Sequence, residues 1–165
     1  MNVQELCPPY VASCRPDANL ATAAELMREH DCGILPVVDA SHRLLGVLTD
    51  RDLCMALATT GCRATDLLAR DAMTTPVYCV RFDDTAAHAL KVMRQHRVRR
   101  LPVTEEDGTL GGILSLNDLV LAAGEPVGTK LTSPTYEEVM RTLKALCARR
   151  PSASLGRPRQ EVAKA

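Results

Sequence analysis

The sequence predicts an α+β (α/β) fold: two β-α-β-β-α repeats packed with pseudo-two-fold symmetry, followed by a C-terminal helix. Three observations predict it. Sliding the chain against itself by 66 residues aligns 9–53 with 75–119 without a gap, and about a third of the pairs are identical. They include Asp17/Asp83, Met27/Met93, His30/His96, Leu35/Leu101, Pro36/Pro102, Gly46/Gly112, Leu48/Leu114 and Asp52/Asp118. Average composition would give about three identities. Within each copy, helical periodicity precedes two short apolar runs separated by turn residues. Finally, 165 residues that are 46% apolar can bury a core, yet each copy is too short to do so alone, so the two must pack face to face.

The elements follow in order. Short extended stretches at Tyr10–Ser13 and Val77–Val80 open the repeats. Helices follow, with apolar residues at Leu20, Ala23, Ala24 and Met27, and at Ala86, Ala89, Leu90 and Met93. His30 and His96 close them, where a cation suits the negative end of the helix dipole. Ile34–Val38 and Arg100–Val103 are apolar enough for buried strands, and Leu44–Leu48 and Leu110–Leu114 return as their partners. Between them lie turns, of which Asp107-Gly108 is a hairpin signal. Final helices begin at Asp50 and Leu116; Gly61 breaks the first, and Thr65–Met73 reads as a short linker helix. The expected divisions are 1–64 for repeat one, 65–125 for repeat two with the linker helix, 126–150 for a C-terminal helix and 151–165 for a tail.

Composition excludes several functions. With 20 Lys plus Arg against 20 Asp plus Glu, the net charge is zero, which removes the electrostatic footprint of a nucleic-acid binder. Tyr10, Tyr78, Phe82 and Tyr136 are the whole aromatic complement, too few for a base-stacking platform. A small-molecule site must therefore be lined by aliphatic groups and backbone. The chain shows neither a leader-like start nor an apolar run that could span a bilayer, so a cytoplasmic protein is expected. Its seven cysteines form no CxxC pair and read as reduced thiols acting as small apolar core residues, with no metal site assigned. Walker A, GxGxxG, HExxH and GxSxG motifs are all missing, which argues against an enzyme.

Thr49-x-x-Asp52 and Ser115-x-x-Asp118 stand between a buried strand and a helix. One reading is a capping box, in which the hydroxyl and the acid satisfy free backbone N–H groups. The other uses the same geometry for a ligand. A helix N-terminus suits phosphate, and a carboxylate there can accept the hydroxyls of a ribose, each charge-assisted bond being worth about 1.5–3 kcal/mol. Arg94, Arg97, Arg99 and Arg100 form the sharpest charge run in the chain, either a solvated edge or a phosphate clamp.

Leu35-Pro36-Val37-Val38-Asp39 followed by Gly46-Val47-Leu48-Thr49-Asp50-Arg51-Asp52-Leu53 resembles a cystathionine β-synthase (CBS) domain. So does Met73-Thr74-Thr75-Pro76-Val77 with Arg100-Leu101-Pro102-Val103 and Gly112-Ile113-Leu114-Ser115-Leu116-Asn117-Asp118-Leu119. Two in tandem resemble the Bateman module, and the likeness spans roughly residues 5 to 123. The resemblance implies regulatory binding of an adenosine-containing ligand: AMP, ADP or ATP, S-adenosylmethionine or NAD. It implies two clefts between the repeats. One joins Thr49, Arg51 and Asp52 to Val77, Tyr78, Arg100 and Pro102; the other joins Ser115, Asn117 and Asp118 to Val11, Ala12, Gly33 and Ile34. Basic residues before the Leu-Pro-Val strand often contact phosphate in this family. Repeat two has Arg99 and Arg100 there and repeat one has Gly33 and Ile34, so the Ser115 cleft is expected to be the better phosphate binder.

Two features depart from the family pattern. Cys7-Pro8 stands where repeat two has Met73-Thr74, and Leu116 replaces Asp50. Tyr78 reads either as an adenine contact or as a half-buried strand tyrosine. The resemblance also implies a homodimer of modules and an unidentified regulated protein, with no obligatory cofactor, nucleic acid or membrane. Residues 135–149 form an amphipathic helix with Val139, Leu143, Leu146 and Cys147 on one face, to be packed on its own domain or on a second copy. The tail, 151–165, has almost no large apolar residues and is expected to be disordered. The alternative to a ligand sensor is a protein-interaction or thiol/zinc-responsive scaffold with vestigial clefts.

Overall fold

The structure is a computed structural model and describes residues 1–8, 11–125 and 134–148. Tyr10, most of the turn-rich stretch 126–134, and the tail lie outside the described residues. Helix α1 (Leu20–Glu29) leads into the antiparallel pair β1 (Ile34–Val38) and β2 (Leu44–Thr49), then helix α2 (Asp50–Thr60). A one-turn helix α3 (Ala69–Ala72) connects to the second repeat: β3 (Val80–Arg81), α4 (Ala86–His96), β4 (Arg100–Thr104), β5 (Leu110–Ser115) and α5 (Leu116–Leu121). Helix α6 (Tyr136–Cys147) closes the chain's described part.

Local chemistry explains the boundaries. Asn19 and Thr85 cap α1 and α4 by accepting from the N–H groups of Thr22 and His88. Gly61, at φ 68°, ends α2 in the left-handed conformation that glycine adopts without penalty. His30 and His96 stand at the ends of α1 and α4 as expected. The linker reads as one helix in the sequence, but it splits into a 3-10 turn (Ala64–Asp66) and α3.

The repeats match in register to the level of irregularities. Each hairpin carries a shift at the same place, Val37/Val38 and Val103/Thr104. The first strand is where they differ. In repeat two β3 runs parallel to β4, pairing Val80 with Val103 and Arg81 with Thr104. In repeat one only Cys14 bridges Val37, so the predicted opening strand is reduced to a single bridge. Residue 16 is proline, which has no N–H to extend a ladder, where repeat two has Phe82.

Each repeat lends its leading segment to the other. Leu68 bridges Asn19, and Ala69 and Arg70 donate to the carbonyls of Ala18 and Pro16 in repeat one. One repeat length earlier, Asn2 bridges Thr85, and Val3 and Gln4 donate to Asp84 and Phe82 in repeat two. Val3 is fully buried in the second core, alongside Leu90, Met93, Leu101, Leu114 and Leu119; Ala69 is fully buried in the first, with Leu20, Leu35, Val37 and Leu48. The hairpin turns meet across the pseudo-dyad, where Leu44 N–H donates to Gly108 and Leu110 N–H to His42.

Helix α6 packs on α4 of its own repeat. Val139 and Thr142 are buried there, and the Thr142 hydroxyl lies 3.5 Å from the Leu90 carbonyl. Leu143 and Leu146 join this face, but Cys147 is exposed, contrary to the expected stripe. The cysteines as a group also depart from expectation. All seven are free thiols, yet only Cys14 is buried, with Cys54, Cys62, Cys79 and Cys147 exposed.

Candidate functional site

Both Thr/Ser-x-x-Asp motifs are built as capping boxes at the heads of α2 and α5. Asp52 Oδ2 accepts from Thr49 N–H at 2.9 Å and from its hydroxyl at 2.6 Å, and Asp52 N–H donates back to Thr49 Oγ1. Asp118 Oδ2 does the same for Ser115, at 2.7 and 2.6 Å, with Asp118 N–H returning to Ser115 Oγ. In each box the cap uses one carboxylate oxygen. Among the described residues Oδ1 takes no protein hydrogen bond, so capping and accepting from a ligand hydroxyl are compatible in one side chain.

The surroundings of the two boxes differ in charge. Arg100 pairs with Ser115 in the strand register, which sets its guanidinium-bearing side chain beside the head of α5. Leu116 N–H donates to the Arg99 carbonyl at 2.8 Å, tying the two arginines to that helix start. No ion pair engages Arg94, Arg97, Arg99 or Arg100 among the described residues; Arg97 donates to the Ala148 carbonyl at 3.5 Å. At the other box Asp50 N–H makes the equivalent bond to Gly33, and the Asp50 carboxylate lies directly over that glycine, where a Cβ would come within 2.9 Å of Oδ2. The position held by an arginine in repeat two is thus covered by an acid in repeat one. Leu116, the counterpart of Asp50, is buried in the second core instead.

A cleft of about 210 Å³ opens between the repeats, lined by Val11, Ala12, His30, Cys32, Ile34, Arg100 and Ile113. It brings together three of the residues expected opposite Ser115, namely Val11, Ala12 and Ile34. Arg100, which the resemblance groups with Thr49 and also counts among the basic residues that favour the Ser115 cleft, pairs with Ser115 in the antiparallel register and lines this cleft. Gly33 adjoins the cleft under Asp50, Asn117 is exposed on the first turn of α5, and Arg99 is exposed beside Arg100. On the other side Arg51 is exposed, Val77 is half-buried, and Pro102 is buried opposite Ile113. Tyr78 is 40% exposed, and its ring stacks on His96.

Sequence reasoning missed His30, Cys32 and Ile113. Ile113 was recoverable, since it stands two residues before Ser115 and so shares its face of β5. His30 had a sufficient explanation as a helix end and carried no second signal.

Cys7 sits at the rim of the second box. It takes the place of Met73 one repeat earlier: Met73 lies against Gly46, and Cys7 lies against Gly112. Thr74 exchanges two backbone hydrogen bonds with Val47, whereas Pro8 has no N–H to give, and Ile113 N–H turns to the Cys7 sulfur. Burial, with the Asp118 carboxylate adding to it, pushes the Cys7 thiol up to about 11 against that hydrogen bond. Burial alone pushes Cys14 up to about 11. Both are protonated and unreactive near neutrality.

A duplicated β-α-β-β-α unit, with capped boxes at both helix heads and a cleft between the copies, defines a tandem α/β module. The chain belongs to the CBS domain family, whose model matches residues 3–59 and 69–125. It is similar to the CBS domain-containing protein YhcV of Bacillus subtilis, with 30% identity over 140 residues covering 84% of this chain and 98% of that one. It is also similar to protein MK0525 of Methanopyrus kandleri, with 31% identity over 73% of this chain; there it spans only 61% of the relative's length. Among solved structures it resembles hypoxic response protein I with two coordinated zinc ions, at TM-score 0.68 and 31% identity, covering 73% of this chain and 98% of that one. CBSX2 in complex with AMP matches at TM-score 0.64 and 28% identity, over 73% and 94% of the two chains. No described helix is long and apolar enough to cross a membrane.

Proposed function

We propose that the chain is a regulatory module that reversibly binds an adenosine-containing ligand and catalyses no reaction. The ligand class is AMP, ADP or ATP, with S-adenosylmethionine and NAD as related candidates. The observation that carries this reading is Arg100, an arginine with no acidic partner among the described residues, lining the inter-repeat cleft beside a Ser115–Asp118 box whose carboxylate has an oxygen to spare among those residues. Val11, Ala12 and Ile34 supply the aliphatic wall and backbone edges for adenine. Asp118 accepts from ribose, Ser115 and Asn117 stand at the helix start, and Arg99 and Arg100 meet phosphate. The AMP complex of a family member supports the ligand class. Occupancy acts by favouring one packing of the repeats, or of a homodimer in the cytoplasm, which requires different affinity for the two states.

Isothermal titration with AMP tests it. Asp118→Asn, which keeps the cap's shape, is expected to weaken binding by about tenfold or more, and Asp52→Asn by less than about threefold. A larger loss from Asp52→Asn overturns the choice of cleft. Absence of any nucleotide binding, together with a zinc-induced thermal shift lost on Cys→Ser substitution, overturns the class in favour of a metal-responsive scaffold.

A further inference from the structure

A second cavity, of about 270 Å³, lies at the end of β4 opposite Arg100, and its lining includes Arg81, Phe82, Asp83, Thr104, Glu105 and Glu106. Val80 pairs with Val103, and Arg81 with Thr104. Both valines point into the second core, so Arg81 and Thr104 share the opposite face of the sheet. Thr104 is nonetheless only 7% exposed, and among the described residues its hydroxyl makes no hydrogen bond. Such a buried hydroxyl costs stability. Its counterpart in repeat one is Val38, also buried, so packing at this position asks only for an apolar side chain.

Three carboxylates surround that hydroxyl against one guanidinium. Arg81 is already engaged, 3.2 Å from Asp83 and 3.9 Å from Glu106. Glu105 is not: its carboxylate makes no hydrogen bond or ion pair among the described residues. Its counterpart, Asp39, shapes the first hairpin turn by accepting from the N–H groups of Ser41 and Arg43. In repeat two Asp107 performs that task by accepting from Thr109 N–H, which releases Glu105. Phe82, whose ring rests on Gly111, stands where repeat one has Pro16 and gives the cavity an aromatic wall. Carboxylates, a hydroxyl acceptor and an aromatic ring are the groups that recognise a cation. Among the described residues no three His, Cys, Asp or Glu side chains are placed to hold a metal ion, and the cavity is much larger than one.

We propose that this cavity binds a primary alkylammonium group, which donates to Thr104 Oγ1 and to the Glu105 carboxylate while its carbon chain lies along Phe82. Arg81 is a tethered competitor that neutralises Asp83 and Glu106 at the mouth. The site stands apart from the nucleotide cleft, which uses the other end of β4.

The test is a titration of the full chain with n-butylammonium chloride, exchanged for sodium chloride at constant ionic strength and followed by backbone amide shifts in NMR spectra. Saturable shifts are expected at Gln4, Phe82 and residues 104–106, with an affinity of about millimolar order. Thr104→Val should weaken binding by about fivefold or more yet melt no lower than wild type, since it removes a buried hydroxyl that lacks a partner. Glu105→Gln should weaken binding by about threefold or more, and Arg81→Gln should strengthen it by a similar factor. Tetramethylammonium, with the same charge and no N–H, should bind about fivefold more weakly. Shifts that never saturate, or that scatter over the surface, mean charge screening alone and overturn the proposal. So does unchanged binding in Thr104→Val, or equal binding of tetramethylammonium. If Thr104→Val melts well below wild type, the hydroxyl is a structural group and the proposal falls. If magnesium chloride moves these amides and butylammonium does not, the cavity takes a metal and the proposal falls as well.

Discussion

The two halves share a backbone and differ in what they place around it. Their hairpin strands, bulges, N-caps and exchanged leading segments coincide at an offset of 66 residues. Yet the head of α5 is faced by Arg99 and Arg100, and the head of α2 by Asp50 over a glycine. Duplication supplied two equivalent scaffolds, and a few substitutions gave them opposite charge. The scaffold is set by buried residues that both halves must keep. The site is set by rim residues that each half can change at little cost to folding.

The largest expected effect tests the sameness of the scaffolds. Leu48 and Leu114 are equivalent and both fully buried, so Leu48→Ala and Leu114→Ala should each cost about 2–5 kcal/mol. Because Ala69 and Val3 cross between the cores, both variants should lower one common transition in urea. Two separated transitions would show that the halves fold independently.

Next come the thiols, one per half. Cys14 and Cys7 titrate near 11 in the folded protein against 9 when exposed. A raised thiol favours the neutral form, so its contribution is fully present below pH 9 and is lost as pH rises toward 11. Cys14 is worth on the order of 2 kcal/mol over that window, and the half-buried Cys7, screened by solvent, contributes less. Denaturation midpoints between pH 8 and 11 should therefore fall, and Cys14→Ala should flatten the fall. The halves separate on Asp118→Asn, which should lower the titration midpoint of Cys7, followed by thiolate absorbance, and leave Cys14 where it is. Equal movement of both would mean that Asp118 does not act on Cys7 directly.

The rim comes third. Arg100→Ala should weaken AMP binding by about tenfold, and Arg51→Ala by less than about twofold, because only the first lines the cleft. Equal losses from the two would erase the proposed asymmetry of charge.

The scaffold was legible in the sequence for a physical reason. Burial constrains residue type, so Leu35-Pro36-Val37 and Leu101-Pro102-Val103 still match, and the Ser/Thr-x-x-Asp caps announce helix starts. The opening strand of repeat one was misread because its apolar residues fit a strand, while the missing N–H of Pro16 governs how far a ladder extends. Arg100 could be assigned to either cleft from the sequence, because the antiparallel register that pairs it with Ser115 is a relation that spacing along the chain does not express. His30 escaped because its place at the end of α1 is an adequate local role.

The smallest effect concerns the one place where the backbone is more symmetric than the residues. His42 and Gly108 are equivalent, both have positive φ, at 62° and 85°, and both carbonyls accept a hydrogen bond from the opposite hairpin. Glycine adopts that region freely, whereas an L-residue gives up about 1 kcal/mol or more there. His42→Gly removes this strain but adds chain entropy to the unfolded state, so the net gain should be about 0.5 kcal/mol. Gly108→His runs the other way and should lose about 1 kcal/mol. Urea midpoints measured on both variants distinguish backbone from side chain. If His42→Gly destabilises, the imidazole itself holds the turn, and the hairpins meet across the pseudo-dyad by unlike means.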